Sequence, residues 1–478
     1  VTRLLLALLL STTALAHAQS LSKALVVPSC QGQTLNYAET SLNQLMMDPQ
    51  GRLCAAGGNA GSANMTTPLM VYANAGPSAT AIQSLPLNGN SWGGITIRQT
   101  VMPIDGVVAN LAVWVAVAVT TNYYTFSLNV NETSTALQCS IGQGGVNLGT
   151  TQQCSDTAHQ VAVHPGDYVA IATSFPGGTP SSSGTFAAAA TTLTSTNGQE
   201  SLVGALTNAQ ISATAIQYSG PGVFQPQASD LLGSAIMPTS GKLDHLYATV
   251  NGALVAGSSV QFTVFKNGVP TSITTTCTSA AITCTDLIDA ITMAVGDTIS
   301  VQTCPSGIAG CQAGTAIGAR YGSFSLRFQP STPNQAAVFG VPNPTVQPAP
   351  AVALRVGALS NPVNFAGGVD TNYSNIAPPT PMTLGDLIVG QCPGPDVTGA
   401  GGVTRTLTLR ANSAYQSPTV ALVGNSTAPC PTLEVGQDTT HTYQSPASAL
   451  LSMGMTMNTI TNASTLGAFK YSMTATVP

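Results

Sequence analysis

Short runs of alternating apolar and polar residues recur along most of the chain. Residues 125–130 and 260–265 are rich in Val, Phe, Thr and Leu. Residues 161–163 and 291–295 alternate up to a Gly-Asp pair, Gly166-Asp167 and Gly296-Asp297, and residues 168–171 and 298–301 alternate after it. A period of two with Gly and Asp as punctuation predicts half-buried strands joined by tight turns. No long amphipathic helix is predicted, although residues 41–47 suffice for a turn or two. Gly (47) and Pro (31) interrupt the pattern at short intervals. Many short strands with such turns predict an all-β fold of tandem β-sandwich or jelly-roll domains.

The pattern also repeats as sequence. Ser78-Ala79-Thr80-Ala81-Ile82-Gln83 returns as Ser212-Ala213-Thr214-Ala215-Ile216-Gln217. Met102-Pro103-Ile104-Asp105-Gly106 matches Met237-Pro238-Thr239-Ser240-Gly241, and Phe126 to Asn131 matches Phe262 to Asn267. Cys154-Ser155-Asp156 matches Cys284-Thr285-Asp286, and the Gly-Asp pairs follow in the same order. Five matches at nearly constant spacing indicate duplication. A fainter third copy is read from Pro381-Met382-Thr383-Leu384-Gly385 against the Met-Pro turn, residues 406–411 against the Phe-to-Asn strand, and Cys430 against Cys154. It lacks a Gly-Asp turn at the expected distance. The resulting layout is an N-terminal segment over 19–71, copies over 72–206 and 207–330, a Pro-rich linker over 331–350, and a divergent third copy over 351–478.

The beginning of the chain is read as an export signal over 1–18. Arg3 precedes an apolar stretch over 4–10, and Ala16-His17-Ala18 offers a small-x-small cleavage site. The stretch is too short to span a bilayer, and no later run is long enough, so no membrane span is expected in the mature chain. The first residue, Val, suits an alternative bacterial start codon or a truncated gene. Charged residues make up only 6% of the chain while 44% are hydrophobic, which favours folding over disorder. A net charge of −5 supplies no basic patch, so nucleic acid is not an expected partner. Ten cysteines in an exported chain point to disulfides, read by nearness as Cys30 with Cys54, Cys139 with Cys154, Cys277 with Cys284, Cys304 with Cys311 and Cys392 with Cys430. Zinc is the rival reading, but no C-x-x-C pair exists.

The order Met-Pro-x-x-Gly, Phe-[Ser/Thr]-[Leu/Val]-x-x-Asn, a Cys pair, then [Val/Met]-x-x-Gly-Asp resembles tumour-necrosis-factor-like jelly-roll domains of bacterial collagen-like and exosporium surface proteins and of phage appendage proteins. The carrying residues are Met102 to Gly106, Phe126 to Asn131, Val163 to Asp167 and their second-copy partners, over some 250 residues. The resemblance implies a sandwich of about ten strands and often a trimer. This chain departs from it in having no Gly-x-y stalk and in carrying its domains in tandem, so three copies are expected to mimic a trimer within one chain.

Candidate chemistry is sparse. Gly89-Asn90-Ser91-Trp92-Gly93 matches the G-x-S-x-G elbow, but the following residues alternate like a strand where the elbow needs a helix. His159 and His164 lie near Asp156 and Asp167. The second copy keeps both aspartates without the histidines, which favours turn chemistry over a base or metal site. His245 and His441 read as isolated and exposed. Trp114, in an apolar run, reads as core; Trp92 is the possible ligand contact. No catalytic or metal residues, no cofactor and no enzyme are expected. The leading expectation is a secreted structural component of a cell-surface or extracellular assembly, of bacterial origin, which self-assembles or meets other surface proteins. The alternatives are a carbohydrate-binding or adhesive module, with a glycan partner, and an extracellular hydrolase using Ser91.

Overall fold

The computed structural model describes residues 46–47, 53–54 and 64–478 less 74–75, 88–91, 95–98, 146–151, 181–186, 207–209, 223–225, 319, 341–353, 357–374, 392–402, 413, 425–432 and 458–468. It divides into two compact units, Val1–Ala63 and Asn64–Pro478. In the first unit, β1 (Met46–Met47) pairs antiparallel with β2 (Leu53–Cys54), so Met46 and Met47 are extended rather than helical.

The second unit is built from three successive sets of strands. The first set is β3 (Thr66–Ala73), β4 (Ser84–Pro86), β5 (Thr100–Val101), β6 (Gly106–Val115), β7 (Tyr123–Val130), β8 (Thr133–Gly142), β9 (Gln153–Val163), β10 (Tyr168–Ser174) and β11 (Ala187–Ser195). The second is β12 (Ser201–Leu206), β13 (Gln217–Ser219), β14 (Ala235–Ile236), β15 (Gly241–Val250), β16 (Ser259–Lys266), β17 (Val269–Thr278), β18 (Thr283–Met293), β19 (Thr298–Pro305) and β20 (Gly322–Pro330). The third is β21 (Ala336–Gly340), β22 (Leu354–Val356), β23 (Asn375–Ile376), β24 (Met382–Gln391), β25 (Val403–Ala411), β26 (Ala414–Gly424), β27 (Glu434–Asp438), β28 (Tyr443–Ser445), β29 (Leu450–Met457) and β30 (Phe469–Thr476).

All three sets share one topology. The first strand of each lies beside the last, the last beside the fourth and the fourth beside the seventh: β3-β11-β6-β9, β12-β20-β15-β18 and β21-β30-β24-β27, with β28 also on β24. The facing sheets are β4-β10-β7-β8, β13-β19-β16-β17 and β22-β29-β25-β26, with β5, β14 and β23 added to β10, β19 and β29. Every pairing is antiparallel; the hairpins β7-β8, β16-β17 and β25-β26 are local, and the other neighbours in each sandwich come from strands further apart in sequence, as in a sandwich of two facing sheets. The apolar side chains that face inward, such as Val108, Leu111, Phe126 and Ile171 in the first sandwich and Leu243, Phe262, Val301 and Leu326 in the second, form the cores.

This pairing moves the boundaries read from sequence. β3 begins at Thr66, ahead of position 72. β12 lies inside the span 72–206 read as copy one but pairs with β20 of the second sandwich. β21 falls inside the expected Pro-rich linker yet pairs with β30. The true connections are therefore only residues 196–200 and 331–335. The third copy also shifts in register. Each fourth strand has a bulge whose residue takes a left-handed backbone: Asn110 (φ 57°), His245 (φ 51°) and Asp386 (φ 47°). Aligning these puts Met382 with Gly106 and Gly241, while Ala377-Pro378 takes the place of Met102-Pro103. The backbone confirms this: the N–H groups of Met102, Met237 and Ala377 donate to the carbonyls of Asp167, Asp297 and Ala449.

The sandwiches close a ring. The outer face of the β3-β11-β6 sheet carries Met70, Ala112, Trp114, Ala188 and Ala190, and it shares one apolar cluster with Ile376 and Ala377 of the third sandwich. The corresponding sheet of the second sandwich packs against β5 of the first, where Ser325 Oγ donates to the Val101 carbonyl. The corresponding sheet of the third packs against β14 of the second, and Lys470 Nζ reaches the Leu231 carbonyl and Ser234 Oγ. In each seam the third strand of one sandwich covers the sheet of the next.

One end of the ring is a hub. Met65 N–H donates to Gly198 O, Thr196 N–H to Asp105 O and Ser331 N–H to Ser240 O. Gln199 in the first connection bonds to Asn334 in the second. First strands start here and last strands end here.

Candidate functional site

Strand direction sorts the connections between the two ends. At the hub end the turns are short: 131–132, 164–167 and 196–200 in the first sandwich, 267–268, 294–297 and 331–335 in the second. They are closed by side chains. Asn131 (φ 49°) donates from Nδ2 to Asp167 Oδ1 at 2.8 Å, and Asn267 (φ 52°) donates to Asp297 Oδ1 at 2.7 Å. Asp167 and Asp297 each accept an N–H across the Gly turn, from His164 at 2.8 Å and Ala294 at 2.6 Å. The third sandwich has the same turn with Ser448 (φ 55°) and Ala449 in the Gly-Asp places.

A second triplicated device sits on the seventh strands. Asp156 accepts N–H bonds from Ala158, His159 and Gln138, all at 3.0–3.2 Å. Asp286 accepts from Ile288, Asp289 and Thr274, and Asp438 from Thr440, His441 and Thr419. Burial works against ionisation of all three, but the converging N–H dipoles outweigh it and hold the carboxyls below the ordinary range. The ring of His159 adds a contact at 2.9 Å and that of His441 one at 2.9 Å. His441 is thus not isolated; the signal that reveals it is the shared Asp-x-x-His spacing. Among the described residues no group of three or more His, Cys, Asp and Glu side chains is placed to hold a metal.

His164 meets Asp105 at 2.8 Å on the surface, and that hydrogen bond raises its pKa. His245 is not exposed as expected: it is partly buried against Asp244 at 3.0 Å. Around Asp244 lies a buried charge network. Arg327 grips it with Nε and Nη2 at 2.7 and 2.9 Å and reaches Glu200 at 2.8 Å, while Lys242 approaches at 2.9 Å. Burial opposes ionisation of Asp244, and Arg327 and Lys242 overcome it, so its pKa falls; that of Arg327 rises, chiefly through its bond to Asp244. In the seam between the second and third sandwiches, burial brings Lys470 down to about 7.

Trp92 does not fit the role of an exposed ligand contact. It is 7% exposed and packs with Phe126, ring centres 6.3 Å apart, in the first core. Trp114 is buried as expected, but in the seam with the third sandwich. Ser91 lies outside the described residues, so the hydrolase elbow has no geometry. Three of the cysteine pairs are disulfides: Cys139–Cys154, Cys277–Cys284 and Cys304–Cys311. The first two staple the sixth strand to the seventh, joining the facing sheets of their sandwiches; on loop entropy each is worth about 2.5–3 kcal/mol. The pairs Cys30–Cys54 and Cys392–Cys430 rest on Cys30, Cys392 and Cys430, which lie outside the described residues. No described helix is long and apolar enough to cross a membrane.

At the other end of the ring lie the connections from first strand to second, fourth to fifth, sixth to seventh and eighth to ninth. In the first two sandwiches these connections span 74–83, 116–122, 143–152, 175–186, 207–216, 251–258, 279–282 and 306–321 in the sequence, mostly longer than the hub turns and rich in Gly, Ser, Thr and Ala. Their described parts are 76–83, 116–122, 143–145, 152, 175–180, 210–216, 251–258, 279–282, 306–318 and 320–321. Short rigid turns at one end and long polar loops at the other are the arrangement in which a scaffold presents binding loops. A small apolar cavity of about 70 Å³ lies inside the ring, where Val71, Val203 and Phe339 of the three first strands meet. Comparison with known protein families and with curated proteins finds no match.

Proposed function

We propose that the chain is an exported structural component of an extracellular or cell-surface assembly, with the three-sandwich ring as its rigid head. The observation that carries this is closure: each outer sheet that a trimeric jelly roll would offer to a second subunit is covered by a sandwich of the same chain. The shared strand order supports the resemblance to tumour-necrosis-factor-like domains, and the seams support a single chain standing in for a trimer. Three disulfides suit an oxidising compartment, and the apolar start of the chain suits export from a bacterial cell.

The test is immunogold labelling of the producing cells with antibody against the 64–478 unit, alongside light scattering of the purified protein. Label on a surface structure and a monomer mass are expected. Free monomers alone in the medium, with no label on cells or appendages, would overturn the assembly role. A stable homotrimer would overturn the single-chain head.

A further inference from the structure

Exposed loops ordinarily drift faster than cores. Between the first two sandwiches the reverse holds. Ser78 to Gln83 and Ser212 to Gln217 agree at all six positions, whereas the core strand residues 126–131 and 262–267 agree only at Phe and Asn. Both loops join a first strand to a second, at the end away from the hub. They share their main stiffening bonds. Gln83 Oε1 accepts the Ser78 N–H at 2.6 Å and Gln217 Oε1 the Ser212 N–H at 2.7 Å, while Ser78 Oγ and Ser212 Oγ each accept a Thr N–H at 3.1 Å. These bonds explain why Ser and Gln are kept. They do not explain Ala81 and Ile82, which point outward, Ile82 with 57% of its surface exposed. Ala215 is likewise exposed, and Ile216 partly so.

The surroundings define the partner. The eight connections named above for this end hold one charged residue, Arg320, whose Nε donates to the Ala253 carbonyl at 3.0 Å. Asp105, Asp167, Glu200, Asp244, Asp297 and Arg327 lie instead toward the hub. An ionic partner finds little to pair with here. Hydroxyls, backbone amides and small apolar side chains suit an uncharged, hydroxyl-rich surface. Two contacts of the same sequence on one compact unit suit a polymer of identical units, because the second contact then forms at high effective concentration.

We propose that the twin loops form a bivalent site for a neutral polysaccharide. This rests on the head reading only in taking the far end of the ring to be free. Immunogold labelling tests that reading separately, so the two can fail independently. The experiment is affinity electrophoresis of the full exported chain through gels containing amylose, dextran or galactomannan, with pectate as an anionic control. Retardation is expected in at least one neutral gel, unchanged by added salt. Ile82→Asp and Ile216→Asp should each weaken it about tenfold or more, and the double variant should abolish it, with melting temperature unchanged. No retardation in any neutral gel, retardation in pectate alone, or full retardation of the folded double variant would overturn the proposal. So would loop-dependent capture of a secreted protein without sugar binding.

Discussion

Gln199 and Asn334 hold each other at the hub: Gln199 Nε2 donates to Asn334 Oδ1 at 3.0 Å, and the Asn334 N–H donates back to Gln199 Oε1. Each sits in one of the two connections between sandwiches, so the pair ties one crossing to the other. Removing Gln199 leaves the Asn334 N–H without this acceptor. Gln199→Ala should cost about 1–2 kcal/mol in urea unfolding. Asn334→Ala should cost less, and a double-mutant cycle should show coupling above about 0.5 kcal/mol.

Arg327 neutralises two carboxylates at once. Arg327→Met takes the ion pair from Glu200 and leaves Asp244 to the half-exposed Lys242 and to His245, with both carboxylates nearly inaccessible to solvent. A loss of about 3–5 kcal/mol is expected. Adding Asp244→Asn and Glu200→Gln should recover most of it, because the cost comes from unpaired charge and not from lost volume. Calorimetry on the single and triple variants checks this.

Lys470 has a pKa lowered from its ordinary 10.5 to about 7. Below pH 7 the folded protein carries the buried ammonium and its full desolvation cost. Between pH 7 and 10.5 the unfolded chain holds a proton that the folded chain has released, so stability rises with pH across this window. The rise should be on the order of 3–5 kcal/mol. Lys470→Met should flatten it, as denaturant unfolding at a series of pH values would show.

The three strand aspartates respond in the opposite range. Their pKa values are depressed, so their stabilisation is present above the ordinary carboxyl range and is lost as acid carries the pH down through the lowered values. Asp156→Ala, Asp286→Ala and Asp438→Ala should each cost about 2–3 kcal/mol at pH 7 by removing the acceptor of three N–H groups. The differences from the parent should shrink toward pH 2.

The strands around Gly166-Asp167 and Gly296-Asp297 were legible because Gly both permits the left-handed turn and marks it. The third turn was not, since Ser448 and Ala449 adopt the same geometry without the mark. Met382 misled the register of that copy because its fourth strand starts with a Met where the others start with Gly106 and Gly241. The seams were hidden for another reason. Ala188, Ala190 and Met70 face a neighbouring sandwich, so their strands are apolar on both sides, and a two-sided strand does not announce what covers it. The Gly- and Ser-rich neighbours of Trp92 suggest a loop tip, whereas its ring fills the first core. His245 lost its isolation through a bulge that no local pattern signals.

The hub has a further consequence. β30 ends beside the start of β21, as Ala336 opposite Ala475 shows, while Met65 is bonded to Gly198 in the neighbouring crossing. The last strand of the ring therefore finishes in the region where its first strand starts. A linker of about five residues, as in the two natural crossings, should join position 476 to position 65, and the chain could then be reopened at Gly198 or Asn334. Such a permuted head would keep every seam while changing which sandwich is made first.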